Sequence, residues 1–370
     1  MPTAAPLIAL DESDNSLQTR ESHHGLYYTL SDISESSDSS RASSPRPPRS
    51  ARRKALSVAI RYDRLHKAAP QEGLLLDGTY ADVDILKRLL QKGFHYKESD
   101  ITVLKDDGIH MPPTRKNILA EMRRLVEDVQ PDDHYVFHFS GHGSQLSDKS
   151  HDVIWPSDIF LGSEGISNYI RANEIHDILV EGFPSNAHLL LLFDCCHSGT
   201  AAELRYDVED DAYELGELEN VDQIPEGEVK STQIQKHLHF KALSFKPNAD
   251  EGESSPQERE IRRDHKFPIH HEHHDVISFA ACADEQTTPD GKRGGIFMQT
   301  FEEVLSTHDY NIPIEEFLVA ITDKIEHKIK KHNDHVARSE KHDGYKCSRC
   351  TPQLGCEESP DEVIHKTLEM

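Results

Sequence analysis

The feature that most constrains the fold is a regular alternation of strand-like and helix-like segments between residues 55 and 193. Runs rich in β-branched, aromatic and leucine side chains predict strands at 55–60, 101–104, 135–139 and 188–193. Apolar residues at helical spacing predict helices between them at 80–90, 115–129 and 172–180. Alternating strands and helices build a largely parallel sheet that helices cover on both faces, so we expect an α/β fold.

The regular pattern stops after Glu203. Residues 207–274 carry first a run of acidic side chains and then a mixture of Lys, His, Ser and Glu without periodicity. Ordered elements are predicted again further on, a strand at 276–280 and helices at 295–305 and 313–332. An aperiodic stretch this long is uncommon inside a compact domain unless it has a function. We therefore expect one α/β domain that is interrupted by a flexible, acidic and His-rich loop at 207–274.

The N-terminal residues 1–53 form a different kind of segment, rich in Ser, Asp, Pro and Arg. Such a composition cannot bury enough apolar area to offset the entropy of the chain, so we expect a disordered leader. The first residues lack the basic flank and long apolar run of a signal peptide. Six cysteines in 370 residues fit a reducing compartment better than a disulfide framework. We expect a cytoplasmic location, with the nucleus as the alternative.

Charge and hydropathy exclude two classes of partner. The formal net charge of −25 would repel phosphates, so we expect no nucleic acid partner. No apolar run approaches the roughly 18 residues that a membrane span requires, so we expect no membrane partner. The same negative charge favours basic substrates.

Two short segments at the ends of predicted strands carry candidate chemistry. His142 and Gly143 follow the strand at 135–139, and Cys195 and Cys196 follow the strand at 188–193. A histidine and a cysteine brought together by the fold are the parts of a thiolate nucleophile and its base. Cys196 follows His142 by 54 residues, close to the separation of about 50 in caspases. Because side chains alternate along an extended segment, only one of the two cysteines can face the cleft.

These segments occur in order with two others, PTRKNI at Pro113–Ile118 and VISFAACADEQT at Val276–Thr287. Together they resemble the metacaspases, which are caspase-related cysteine peptidases, over about residues 55–354. The resemblance implies a caspase-hemoglobinase fold with a large-subunit region at 54–206 and a small-subunit region at 275–370. It also implies peptide or protein substrates that are cleaved after Arg or Lys rather than after Asp.

The resemblance also implies roles for individual residues. In the family the reactive cysteine directly precedes His-Ser-Gly, which selects Cys196 as nucleophile with His142 as base and leaves Cys195 to the core. Gly143 has no side chain, so its N–H and that of Cys196 can approach a substrate carbonyl as an oxyanion hole. The pocket for the basic side chain is expected to be lined by Asp82, Ser140 and Asp194. For Asp82 the alternative is a solvated acid on a helix, and the family has Asn-Asp where this chain has Ala-Asp.

Calcium is a cofactor of many metacaspases, and this chain keeps part of the ligand pattern. Asp152 and Glu203 occupy two of the acidic positions. Ala172 and Asn173 stand where the family has an Asp-Asp pair, with Arg171 beside them. Because calcium affinity rises with the charge of its ligands, we expect no firm cofactor requirement, and a calcium site only outside the micromolar range. The alternative is that the acidic stretch at 207–219 supplies replacement oxygens.

Three further features leave alternatives open. Cys347, Cys350 and Cys356 resemble half of a zinc knuckle, and five histidines between His265 and His274 could ligate a metal. The acidic loop is either a solvated segment or an inhibitory segment that is cleaved at basic residues, namely Lys230, Lys236, Lys241 and Lys246.

Two functions remain open from the sequence. One is an active endopeptidase that is made as a zymogen and nicked between residues 204 and 274. The other is a catalytically silent scaffold, or an aggregate-handling protein, with the same fold.

Overall fold

The computed structural model describes residues 50–146, 151–162, 165–184, 186–195, 201–210, 238–242, 275–281, 293–338 and 350–370, with side chains left out at 207–210 and 238–242. Its strands are β1 Arg53–Ala59, β2 Ile101–Lys105, β3 His134–Ser140, β4 Gly143–Gln145, β5 Asp152–Ile154, β6 Phe160–Gly162, β7 Gly165–Ser167, β8 Ile170–Arg171, β9 His188–Asp194, β10 Tyr206–Asp210, β11 Leu238–Ala242, β12 Asp275–Ala280 and β13 Gln353–Cys356. Its α-helices are α1 Asp63–Ala68, α2 Thr79–Gly93, α3 Arg115–Leu125, α4 Ala172–Leu179, α5 Ile296–Thr307, α6 Ile314–Arg338 and α7 Pro360–Val363.

The described strands assemble mainly into one eight-stranded sheet, in the order β11-β10-β13-β12-β9-β3-β1-β2. The five strands from β12 to β2 are parallel, and β13, β10 and β11 add antiparallel pairs at one edge. Parallel neighbours need long crossover connections, which the helices provide. The largely parallel α/β sheet expected from the alternating pattern is therefore present.

Helices cover the sheet on both faces. Leu190 and Leu192 point to the face covered by α2, α5 and α6, while Leu189 and Leu191 point to the face covered by α3 and α4. All four leucines are buried, because β9 lies in the middle of the sheet between β12 and β3. This arrangement explains why the strand reads as an unbroken apolar run rather than as an alternating one.

Helix α3 and the strands β10 and β11 differ from the sequence expectations. Helix α3 ends at Leu125 rather than near residue 129, and Asp128 just beyond it has φ 57°, a left-handed conformation that an α-helix does not accommodate. Strands β10 and β11 fall within the stretch expected to be a loop at 207–274. They pair with each other, and β10 pairs with the backbone of β13, which is how an exposed sheet edge gains further strands.

The remaining parts of that stretch, and the leader up to residue 49, lie outside the described residues. Strand β1 begins at Arg53, the last residue assigned to the leader. Within the described parts of the chain, no helix combines the length and the apolar character that crossing a membrane requires.

Candidate active site

The candidate site lies where the central parallel strands end. β3 ends at Ser140, two residues before His142, and β9 ends at Asp194. Ser140 and Asp194 are neighbours in the register of these strands. The first turn of α2 and the residues that precede α5 approach the same edge. Carboxyl ends of parallel strands are the usual place for a site in α/β folds, because loops from several strands meet there.

His142 is held by a hydrogen bond to a backbone carbonyl. Its Nε2 lies 2.8 Å from the oxygen of Leu74. A carbonyl only accepts, so Nε2 carries the hydrogen and the neutral ring has its lone pair on Nδ1. The imidazole is therefore fixed in the tautomer whose Nδ1 can take up a proton.

Two aromatic side chains pack around this imidazole. The centroid of the Tyr62 ring lies 4.6 Å from that of His142, and the centroid of Trp155 lies 5.4 Å away. The Tyr62 hydroxyl accepts the His142 N–H at 2.9 Å and donates to the Trp155 carbonyl at 2.6 Å. Burial raises the pKa of Tyr62 well above its ordinary value, so this hydroxyl stays protonated and keeps donating. The backbone and the ring of His142 are thus both positioned.

Asp82 is the centre of a buried hydrogen-bond network. Only 1% of this residue is exposed, although it lies in the first turn of α2. Its Oδ2 accepts the Ser140 hydroxyl at 2.7 Å, and its Oδ1 accepts the Gly295 N–H at 2.7 Å. The alternative of a solvated helix acid is therefore wrong. These two hydrogen bonds give each oxygen of this buried side chain a partner.

Asp194 joins the same group of residues from β9. It is 6% exposed, and a Cβ built on Gly295 would come within 2.4 Å of its Oδ2. A Cβ on Gly294 would likewise lie 2.7 Å from Oδ1 of Asp82, and Gly294 has φ +109°. The two glycines let the backbone before α5 pass between the two carboxylates. The structure thus brings together Asp82, Ser140 and Asp194, the three residues expected to bind substrate.

The cysteine pair is described only in part. Cys195 is buried and belongs to the core with Phe193 and Tyr62, as expected for the non-catalytic cysteine. Cys196 lies outside the described residues, so its role as nucleophile stays a prediction. Gly143 begins β4 and pairs with Ile154, and its role in an oxyanion hole also stays a prediction.

The residues expected to bind calcium each have a polar neighbour. Asp152 is buried and its Oδ1 accepts the Gln145 side-chain amide at 3.4 Å. Glu203 lies 3.2 Å from Nδ1 of His151. Among the described residues, no further carboxylate, histidine or cysteine completes a cluster of three with them. The Asn173 amide oxygen is buried without a hydrogen-bond partner in the described part of the chain, but it brings no charge. The expectation of a calcium site outside the micromolar range therefore stays a prediction.

Two of the three cysteines of the proposed zinc knuckle are described. The Cys350 thiol donates a hydrogen bond to the carbonyl oxygen of Ala281, with Sγ and the oxygen 2.9 Å apart. Cys356 is buried in β13. A thiol that donates a hydrogen bond is protonated, whereas zinc binds the thiolate. Cys347, the histidines at 265–274, Lys230, Lys236 and Lys246 lie outside the described residues, and Lys241 has a described backbone only.

Sequence reasoning missed the residues that position His142. Tyr62 and Trp155 stand far from the motifs, and Leu74 contributes only its backbone oxygen. Gly141 was also missed, although a Cβ there would lie 2.8 Å from the Tyr62 hydroxyl. Two features of the sequence could have pointed to these parts of the site, namely the single tryptophan and the adjacent glycines Gly294 and Gly295.

Comparison with known proteins gives matches to one peptidase family. The family described as metacaspase, peptidase C14 domain, matches residues 53–205. Metacaspase-1 of Scheffersomyces stipitis is 30% identical over 273 residues, which cover 66% of this chain and 60% of the relative. Metacaspase-1 of Schizosaccharomyces pombe is 35% identical over 159 residues, or 42% of this chain and 36% of the relative. This chain therefore spans less than two thirds of the length of either relative.

Among solved structures, caspase-1 of Spodoptera frugiperda aligns with 83% of this chain and 87% of its own, at 13% identity and a TM-score of 0.43. The family match together with the sheet confirms the expected caspase-type α/β fold. Residues 53–205 of this chain match the metacaspase, peptidase C14 domain, and the relatives that share this region are metacaspases.

Proposed function

We propose that this protein is a cysteine endopeptidase that cleaves after Arg or Lys. The observation that carries the proposal is the pair of buried carboxylates, Asp82 and Asp194, on either side of Gly295 at the strand ends beside His142. A cationic side chain that enters this site meets both carboxylates, and a planar guanidinium can bind them with paired hydrogen bonds. An acidic side chain would add a third negative charge.

In the proposed mechanism, Nδ1 of His142 takes the proton of the Cys196 thiol, and the thiolate attacks the substrate carbonyl. The oxyanion accepts hydrogen bonds from the N–H groups of Gly143 and Cys196. The protonated imidazole then donates its proton to the leaving amine, and water hydrolyses the acyl-enzyme with His142 as general base. The Leu74 carbonyl supports both steps, because it holds Nε2–H while Nδ1 gains and loses the proton.

We further propose that the protein is a zymogen that cleaves itself between residues 204 and 274, in the cytoplasm. Basic residues in that stretch match the proposed specificity. Neither nucleic acid nor membrane is proposed as a partner, in keeping with the net charge of −25.

The decisive experiment compares fluorogenic peptides that end in Arg, Lys and Asp. We expect turnover of the first two only, loss of it in Cys196→Ala and His142→Ala, and a substantial remainder in Cys195→Ala. Removing a carboxylate in Asp82→Asn should lower kcat/KM by at least about 30-fold, from the roughly 2–5 kcal/mol of a buried charge pair. Asp84→Asn, on an exposed part of the same helix, is the matched control.

Two outcomes would overturn the proposal. Turnover of an Asp-ended peptide with none on Arg would exclude the carboxylate pocket. A folded protein without turnover on any of the three would favour the catalytically silent scaffold instead.

A further inference from the structure

A second cluster of ligand-type side chains lies at the opposite end of the sheet from the candidate active site. His134, His188 and Asp275 are the first residues of β3, β9 and β12. These strands are adjacent and in register, so the three residues lie side by side. The imidazole rings of the two histidines stack with centroids 4.5 Å apart and planes 14° from parallel.

His188 has its ring orientation fixed by Asp275. Its Nδ1 lies 2.6 Å from Oδ2 of that carboxylate, which assigns the hydrogen to Nδ1. Nε2 then carries the lone pair, and it lies 3.7 Å from Oε2 of Glu369. A histidine that binds a metal through one ring nitrogen usually donates the N–H of the other to a carboxylate, which orients the ring. Asp275 has this position beside His188, and the other nitrogen of His188 faces Glu369.

His134 offers a second ring nitrogen. Its Nδ1 is buried and has no hydrogen-bond partner in the described part of the chain. A buried ring nitrogen without a partner is costly in an apolar setting, and a bound ion would remove that cost.

The cluster opens into a cavity of about 350 Å³ that His188, Asp275, Lys366 and Glu369 help to line. Lys366 pairs with Glu358 and lies 3.9 Å from Asp275. Its ammonium therefore offsets the charge of Asp275, and Glu369 remains as the anionic group that faces the histidines. The cavity leaves room for a water molecule as a further ligand.

We propose that His134, His188 and Glu369 form a zinc-binding site that fastens the C-terminal segment to the starts of the central strands. Among the described residues, this is the one group of three metal-ligating side chains, and their ligand atoms lie within 4.8 Å of one another. Two histidines and one glutamate are a donor set that zinc favours, with water in the fourth position.

Binding requires a modest adjustment. Tetrahedral zinc with bonds of about 2.0–2.1 Å holds its ligand atoms roughly 3.3 Å apart, so the three side chains must close by up to about 1.5 Å. Glu369 can make most of this movement, because its side chain is 58% exposed. The two histidines can stay on the sheet.

The test measures Zn²⁺ and Co²⁺ binding to the 370-residue chain at pH 8 after treatment with a chelator. Glu369→Gln and His188→Gln should each bind one zinc equivalent fewer than the wild type, and should lose the Co²⁺ absorption bands of a site with nitrogen ligands. Asp275→Asn should weaken this site by about 10- to 100-fold, because the histidine loses its orienting partner. Added zinc should also raise the thermal unfolding midpoint of the wild type and not that of Glu369→Gln.

Matched controls are needed because the chain holds 25 histidines, which can bind zinc elsewhere. Glu362→Gln and His365→Gln lie on the same C-terminal segment and are exposed, and they should keep the full stoichiometry. If the two ligand variants also keep it, with unchanged affinity, the proposed site is wrong. Should His188→Gln fail to fold, the exposed Glu369→Gln decides alone.

Discussion

Replacing His138 with glutamine should make the stability of the fold less sensitive to acid. His138 lies in the middle of β3, is 0% exposed, and has Nδ1 2.9 Å from the hydroxyl of Ser57. Its Nε2 is buried without a partner among the described residues. Burial lowers its pKa from 6.5 to about 3, because a charged imidazole would lose its hydration there.

The size of the effect follows from the difference between the two pKa values. Since the folded pKa is depressed, protons bind the unfolded chain more tightly and acid favours unfolding. The stabilisation is complete above about pH 6.5 and is lost progressively as the pH falls towards 3. Between pH 7.5 and 4.5 the free energy of unfolding should fall by about 2.6 kcal/mol through this one group, at 1.36 kcal/mol per pH unit below 6.5.

Urea unfolding at a series of pH values measures this directly, with the fluorescence of Trp155, the single tryptophan, as the probe. The wild type should lose about 2.6 kcal/mol more than His138→Gln over this pH interval. His327→Gln, at an exposed position of α6, is the control and should behave like the wild type. If the loss of unfolding free energy over this interval differs by less than about 0.5 kcal/mol between the wild type and His138→Gln, the reasoning is refuted. Other groups would then account for the acid sensitivity.

Two further predictions concern the candidate active site. Gly295→Ala places a methyl group 2.4 Å from Oδ2 of Asp194, which costs about 1–3 kcal/mol of strain. In a protein that still folds, this strain should lower kcat/KM on an Arg-ended peptide by about 5- to 150-fold. Unchanged kinetics would mean that Asp194 does not contact substrate. Peptidase activity should be independent of calcium or require millimolar calcium, because Asp152 and Glu203 form no larger carboxylate cluster in the described residues. Titration of calcium after chelator treatment checks this, and a sharp midpoint at micromolar free calcium would show that other ligands complete the site.

The sequence was sufficient to predict those strands and helices whose side chains show a local pattern. The leucines from Leu189 to Leu192 predicted a strand buried on both faces, and β9 has that position. The family motifs led to Asp82, Ser140 and Asp194, because each lies at a strand end or a helix start, where topology alone brings them together.

Other parts of the site depend on contacts that leave no local pattern. The carbonyl of Leu74 can hold His142 only because a loop passes beside it, and any residue type could supply that oxygen. Tyr62 reaches His142 from a left-handed position at the start of α1, which its sequence neighbours do not reveal. β10 and β11 were missed because their pairing depends on the edge offered by β13, over 100 residues away.

The hydrogen bond between Asp82 and the Gly295 N–H joins residues 213 positions apart in the chain. Asp82 precedes the long acidic stretch and Gly295 follows it, so the pocket is built from two halves of the chain. The covalent connection alone does not hold these halves in the right relative position. Parallel pairing of β9 with β12 and the ion pair between Arg88 and Glu302 hold the halves together. A covalent connection raises the effective concentration of one half near the other, and this connection also carries β10 and β11 at the edge of the sheet. In such an architecture the two halves, produced as separate polypeptides, could complement each other, and the concentration at which they do so would report the strength of their interface.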